Sequence, residues 1–337
     1  VELEHAGRLE PLAGRTAVLK LAQLQDRLQD QHGRRKRKLR VSLTDRCNFR
    51  CPYCMPTTPH WLPKASLLKA AEWQRLLGLF VQNGIEHLRL TGGEPLLRPD
   101  LESLIAGFQA LNVRISLTTN AWGLAERAFA LKAAGLSDVN ISLDALDEGI
   151  FKQLSGGRPM QPVLDGLFAA EAAGLQPKLN AVLMRGVNES QILPLFELAA
   201  RHGWVLRFIE YMPLDGNGAW QQSQVVNQAE VLQRLPAAQP WASSHEPAQY
   251  FDVQGVKVGF ISTISQSFCQ NCDRLRLTAQ GELLTCLFSQ SGLKLGALLR
   301  EGASDTELLE AIQSAVWHKQ AGYQPSQRGL AMHAVGG

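Results

Sequence analysis

Residues 39–56, LRVSLTDRCNFRCPYCMP, decide how this chain is read. Leu39 to Thr44 has the composition of a strand, and the polar turn Thr44-Asp45-Arg46 closes it. Three cysteines follow at once, Cys47, Cys51 and Cys54, spaced C-x3-C-x2-C. Thiolates are the ligands that iron–sulfur clusters need, and three of them on one loop hold three corners of a four-iron cluster and leave the fourth iron open. A zinc site wants a fourth protein ligand, and the nearest histidine, His60, stands in a Pro-bounded stretch beyond the triplet.

Outward from that stretch the chain alternates strand-like and helix-like segments. Strands are expected at 39–44, 87–91, 112–118, 138–143, 178–184 and 204–210, with helices near 66–83, 100–110, 122–134, 161–173 and 189–202. Strands joined by helical crossovers imply a parallel sheet, either doubly wound or curled toward a barrel. Polar and glycine residues gather after the strands, as in Thr91-Gly92-Gly93-Glu94-Pro95, so the site is expected at the C-terminal mouth of the sheet. After Leu235, prolines and serines mark a linker, followed by strand candidates at 249–264 and 274–288 and helices near 293–300 and 304–319.

The second module carries the other three cysteines, Cys269, Cys272 and Cys286, as C-x2-C-x13-C. A zinc ribbon would show two C-x2-C knuckles, and here the second supplies one thiol, with His318 and His333 far along the chain. A second three-thiolate iron–sulfur cluster suits the count better.

Composition agrees with a cofactor enzyme and excludes several other classes. The chain has 337 residues, six cysteines and a formal net charge of +3, too balanced for a general nucleic-acid coat. No apolar run approaches a membrane span, and charged residues break any signal-like start, so a cytoplasmic protein with reduced thiols is expected. Ala17 to Asp30 reads as a short helix, and Arg34 to Lys38 as a basic strap whose members are mostly solvated.

C-x3-C-x2-C with Tyr53 before the last cysteine, followed by TGGEP at 91–95, resembles the radical S-adenosylmethionine (SAM) superfamily. The second triplet, the DRLRLT segment after Cys272 and the terminal Gly336-Gly337 narrow the resemblance to its GTP 3′,8-cyclase family, which opens molybdenum cofactor biosynthesis. That family implies an incomplete (β/α)6 TIM-like barrel with a smaller C-terminal α+β module carrying the second cluster. The corresponding division is 1–38, 39–235 and 236–337.

The resemblance also implies two [4Fe-4S] clusters, SAM as cofactor and GTP as substrate. An adenosyl radical formed at the first cluster takes the ribose 3′ hydrogen, and the sugar radical closes on C8 to give (8S)-3′,8-cyclo-7,8-dihydroguanosine 5′-triphosphate. Carried over by position, Tyr53, Gly93, Ser142 and Met212 contact SAM. Arg40, Arg89, Thr118, Lys178 and Arg274-Leu275-Arg276 contact GTP, with Arg274 and Arg276 also in catalytic roles. Arginine forks and a lysine point charge suit a triphosphate, and no G-x4-G-K-[ST] loop is present to do that work. The implied partners are a flavodoxin-like reductant and a downstream cyclic pyranopterin monophosphate synthase. Neither a membrane nor a specific nucleic acid is among them, and homodimerisation is left open. Two rival readings share some of these residues: a radical SAM enzyme acting on a peptide with an auxiliary cluster, and a zinc-binding nucleic-acid regulator.

Overall fold

Along β1 (Lys38–Ser42) and β2 (His87–Thr91) every second residue is apolar and buried: Leu39 and Val41, then Leu88 and Leu90. The intervening Lys38, Arg40, His87 and Arg89 turn to the opposite face, because successive side chains of a strand alternate. The pattern continues through β3 (Arg114–Thr119), β4 (Asp138–Ser142), β5 (Lys178–Leu183) and β6 (Val205–Glu210). Parallel sheets are ordinarily apolar on both faces. This one is apolar on the helix-covered face only, so its other face is built to meet something polar.

The computed structural model describes residues 28–241, 247–322 and 331–336. One 12-stranded sheet holds β1 to β6 in sequential order, all parallel. Strands from the last third of the chain extend it on both sides. β9 (Val256–Ile261) joins β6 in parallel and leads outward to β8 (Gln249–Val253) and β7 (Ala238–Pro240). On the other flank β10 (Arg274–Leu277) joins β1 in parallel, followed by β11 (Glu282–Leu284) and β12 (Leu293–Lys294). Side chains from β1 through β6, β9 and β10 line the same cavity, so the sheet curls around it as an open, partial barrel.

Helices cover the apolar face: α1 (Ala70–Gln82), α2 (Leu101–Gln109), α3 (Ala128–Ala133), α4 (Glu148–Ser155), α5 (Gln161–Ala172) and α6 (Ile192–His202). From α1, Trp73, Leu76, Leu77 and Phe80 are removed from solvent in one core with Leu39, Leu88 and Ile115. At about 1.5–3 kcal/mol for each large apolar side chain buried, this layer is the main source of stability. Among the described residues no helix is long and apolar enough to cross a membrane.

Several segments depart from the sequence reading. The helix expected near 122–134 starts only at Ala128, because Ala121 and Gly123 hold φ of 62° and 84°, incompatible with helix. The run 249–264 is a hairpin, turned by Gln254 and Gly255 at φ 52° and 84°. Helix α4 went unread, although Asp147 caps it by accepting the Ile150 amide at 2.9 Å.

The N-terminal expectations need correction. Residues 17–27 of the expected helix lie outside the described residues, and Leu28 to Asp30 are not helical, Gln29 bridging to Arg35 instead. The strap is not uniformly solvated. Arg35 and Arg37 are exposed, but Arg34 and Lys36 are 8% and 1% exposed, because an extended segment sends alternate side chains inward and Asp30 waits there to pair with both.

Candidate active site

A cavity of about 360 Å³ opens on the polar face of the sheet, and all six cysteines line it. None is in a disulfide. Topology places the two triplets at opposite ends of the strands. Cys47, Cys51 and Cys54 follow the C-terminal end of β1, whereas Cys269 and Cys272 precede β10, whose first residue, Arg274, lies beside Lys38 at the N-terminal end of β1. β11 runs back antiparallel, with Leu284 opposite Arg276, and so returns Cys286 toward Cys272. The cavity thus runs along the strands, and their C-terminal mouth holds only half of it. Five residues of β1 separate the halves, about 16 Å at the usual rise.

At the mouth, the first cysteine loop is fastened to the TGGEP turn by backbone alone. The Gly93 amide donates to the Thr44 carbonyl and the Glu94 amide to the Arg46 carbonyl, each at 2.7 Å. A Cβ on Gly92 would strike the Thr44 carbonyl and one on Gly93 the Arg46 carbonyl. These glycines therefore serve a close approach between two protein loops. Glu94 is buried and accepts the Leu96 amide at 2.9 Å, the Thr119 hydroxyl at 2.7 Å and the Asn120 amide at 2.7 Å. Burial still raises its pKa to about 7.

The thiol environment fits an iron–sulfur cluster. The Phe49 amide approaches Cys47 Sγ at 3.4 Å and Asn120 Nδ2 at 3.9 Å, the N–H to sulfur contacts that tune cluster thiolates. Burial, with Glu94 nearby, pushes the Cys47 thiol up to about 12, and burial pushes Cys51 and Cys54 well up too. Such thiols stay protonated unless a metal takes the proton's place. Among the described residues no three His, Cys, Asp or Glu side chains gather as a single-ion site requires.

Tyr53 donates its hydroxyl to the Asp144 carboxylate, and the Val182 amide donates to the other oxygen at 2.8 Å. Gly93, Ser142 and Met212 line the same end of the cavity.

Along the strands the lining turns cationic. Arg40 stands between Arg89 on β2 and Arg276 on β10, in register with both. Burial and then the charges of Arg276, Arg89, Arg274 and Arg207 push the Arg40 pKa down. A guanidinium keeps its proton, so this crowding is relieved by an anion. Lys178 pairs with Asp138 at 3.3 Å, and Thr118 lies in the same row two strands away, across Asn140. Against these cations the lining offers the carboxylates Glu94, Asp144 and Glu210. Each already has donors, Glu210 accepting the Ile264 and Ser265 amides at 2.8 and 2.9 Å. Cationic side chains therefore predominate along this stretch of the lining, a setting suited to an anion.

All the site residues expected from sequence line the cavity except Leu275, whose side chain is buried in the core beside Leu39. Strand alternation sends Arg274 and Arg276 to the polar face and Leu275 to the other. Sequence reading passed over Arg207, on β6 in the row of Ser142 and Asn180. Its Nη2 donates to Asn140 Oδ1, while its Nε is buried with no partner among the described residues. A charged residue inside a strand was the available signal, the same one that marked Arg89 and Lys178.

The described part of the C-terminal segment packs against the cavity, Met332 among its lining. The His333 amide donates to the Cys54 carbonyl at 3.4 Å, and Arg276 Nη1 donates to the carbonyls of Val335, at 3.3 Å, and Gly336. A Cβ on Gly336 would press on Thr91 and Ser42, at a φ of 79° that favours glycine in any case. Gly337 lies outside the described residues.

Two family models match the chain: Radical SAM superfamily over residues 41–199 and Molybdenum Cofactor Synthesis C over residues 204–325. GTP 3′,8-cyclase from Paenarthrobacter nicotinovorans is 41% identical over 92% of this chain and 97% of its own length. The Streptomyces coelicolor protein of the same name is 44% identical over 87% of this chain and 90% of its own. Among solved structures, Streptococcus suis SuiB bound to S-adenosylmethionine has a TM-score of 0.59 at 18% identity, covering 87% of this chain and 70% of that one. The complex of SuiB with its precursor peptide SuiA gives 0.61 at 16% identity, covering 95% and 74%. At such identities the likeness is one of fold.

Proposed function

Because the chain belongs to the GTP 3′,8-cyclase family of radical SAM enzymes, we propose that its cavity seats SAM at the C-terminal mouth of the sheet and GTP along the strands toward the second cysteine triplet. The reaction converts GTP to (8S)-3′,8-cyclo-7,8-dihydroguanosine 5′-triphosphate, the opening step of molybdenum cofactor biosynthesis. What carries the assignment of ends is the gradient of the lining, from thiols beside Glu94 and Asp144 to thiols beside Arg274 and Lys319.

Cys47, Cys51 and Cys54 would hold the first cluster, and Cys269, Cys272 and Cys286 the second. When bound, the first cluster and SAM supply the one-electron chemistry that opens the ribose C3′–H bond. The chain's residues do the rest. Gly93, Tyr53, Ser142 and Met212 fix the methionyl and adenosyl groups at the mouth, Asp144 holding the Tyr53 ring in place by its hydroxyl. Arg40, Arg89, Lys178 and Arg207, with Thr118, receive the triphosphate and ribose. Charge-assisted forks are worth about 1.5–3 kcal/mol each. Arg274 and Arg276 stand beside the second triplet, where they orient the purine and balance charge as C8 changes bonding. Arg276 is itself aimed by the Gly336 carbonyl. Packing of the C-terminal segment against the cavity keeps water from the reacting carbon, and holding the reacting groups in orientation contributes on the order of 7–11 kcal/mol at its best.

The same reading assigns a flavodoxin-like electron donor, a cyclic pyranopterin monophosphate synthase as consumer of the product, and a cytoplasmic setting. The peptide-modifying alternative draws support only from fold likeness. Anaerobic incubation of reconstituted protein with SAM, GTP and a reductant, followed by chromatographic separation of the nucleotides and mass analysis, tests the proposal. A nucleotide isomeric with GTP, formed together with 5′-deoxyadenosine, is the expected result; unchanged GTP alongside rapid SAM cleavage would reject it.

A further inference from the structure

The buried half of the N-terminal strap has no role in the reading above, yet its hydrogen bonds converge on the second triplet. Residues 29–35 form a tight hairpin with Asp30 at its centre. Asp30 Oδ1 accepts the His32 and Arg34 amides at 3.0 Å each, and Oδ2 accepts Arg34 Nε and Lys36 Nζ at 2.7 Å each. The remaining donors point outward from this hub. Arg34 Nη1 donates to the carbonyl of Cys269 at 2.7 Å, and Lys36 Nζ to the carbonyl of Cys272 at 2.8 Å. Arg34 also reaches the carbonyls of Gln320 and Ala321, each at 2.7 Å, in the segment that follows the long helix Asp305–Trp317. Next along the strap, the amides of Arg37 and Lys38 donate to the Asp273 carbonyl at 2.9 and 3.1 Å.

Two consecutive ligands of one triplet are thus gripped by their own carbonyls from a single rigid unit. Stability alone does not call for this arrangement. Burying an arginine, a lysine and an aspartate is costly, and well-packed apolar residues would hold the hairpin at least as firmly. What charged donors add is direction. A fork and an ammonium on one carboxylate fix where two carbonyls stand, and with them the two Cα–Cβ bonds that aim the thiols. We propose that Asp30, Arg34 and Lys36 form a positioning clamp that sets the spacing of Cys269 and Cys272 as cluster ligands. This rests on the reading of the second triplet as a cluster site, and it goes beyond that reading by giving the site a support contributed from the other end of the chain.

The test uses the full chain, reconstituted anaerobically, with iron and acid-labile sulfide counted and electron paramagnetic resonance recorded on reduced protein with and without SAM or GTP. Wild type is expected to hold about eight irons and two signals, one answering to SAM and one to GTP. Wild type with about four irons and one signal would reject the two-cluster reading itself. Given two clusters in wild type, Arg34→Gln and Lys36→Met are each expected to fall to about four irons, keep the SAM-responsive signal and lose the GTP-responsive one. Full iron with an unchanged GTP-responsive signal in both variants would overturn the clamp. So would loss of both signals together, since that result assigns the strap to general folding.

Discussion

The two cysteine triplets share one cavity but not one electrostatic setting. Around Cys47, Cys51 and Cys54, burial and the carboxylates Glu94 and Asp144 work in the same direction and hold the thiols protonated. Burial also disfavours the Cys272 thiolate, but there Arg274, Lys319 and Lys36 outweigh it and bring the pKa down to about 7. The first site becomes a ligand set only as iron arrives. At Cys272 the counter-charge is in place beforehand, from Arg274 and Lys319 on the cavity wall and from Lys36 of the strap. In the proposed reading the radical-generating and substrate-holding ends thus have opposite surroundings, because the cavity runs the length of the strands.

Substitution of any first-triplet cysteine by alanine carries the largest expected effect: SAM cleavage and GTP conversion both disappear, read by chromatography of 5′-deoxyadenosine and nucleotide. Next, Asp30→Ala strands Arg34 and Lys36 in the interior without their carboxylate, and denaturant unfolding of the apoprotein should show a loss of about 3–5 kcal/mol. Arg40→Ala and Arg207→Ala should each weaken GTP binding by about 1.5–3 kcal/mol in calorimetry while leaving SAM affinity unchanged. An equal loss for both ligands would erase the division between the ends.

Thiol alkylation of metal-free protein sharpens the comparison. Cys272, its pKa depressed from the ordinary 9.0, is protonated and slow below about pH 7 and reacts at full rate above it. Cys47, raised to about 12, should remain slow through pH 9. Mass mapping after short labelling at pH 8 should find Cys272 modified well ahead of the first triplet. The smallest effect belongs to the C-terminus: deleting Gly336 and Gly337 removes one of the two carbonyls that hold Arg276, and turnover should drop about tenfold, near 1.4 kcal/mol, with iron content intact.

The parts of this molecule legible in sequence are those whose chemistry is local. C-x3-C-x2-C, TGGEP and C-x2-C-x13-C each state their business within a few residues, and six strands followed from their composition. The strap did not disclose itself, because a charge run is normally solvated and the partners that bury Arg34 and Lys36 lie at Cys269, Cys272 and Ala321. Nor did the running of the site past the C-terminal mouth, which depends on β10 entering the sheet parallel to β1 from far along the chain. Leu275 was taken with its arginine neighbours as one segment, and strand alternation separates them. Where function depends on pairing between distant elements, residue type gives the chemistry and only the fold gives the address.

The central claim, a radical-generating end and a substrate end in one cavity, is tested most directly by Cys272→Ala incubated anaerobically with SAM, GTP and reductant. Quantifying 5′-deoxyadenosine and cyclised nucleotide in the same sample separates the two ends. SAM cleavage should persist at a slow, uncoupled rate while the cyclised product falls below detection, because even about 1 Å of misplacement of the ribose costs on the order of a hundredfold. Cyclised nucleotide formed at near the wild-type rate would contradict the account.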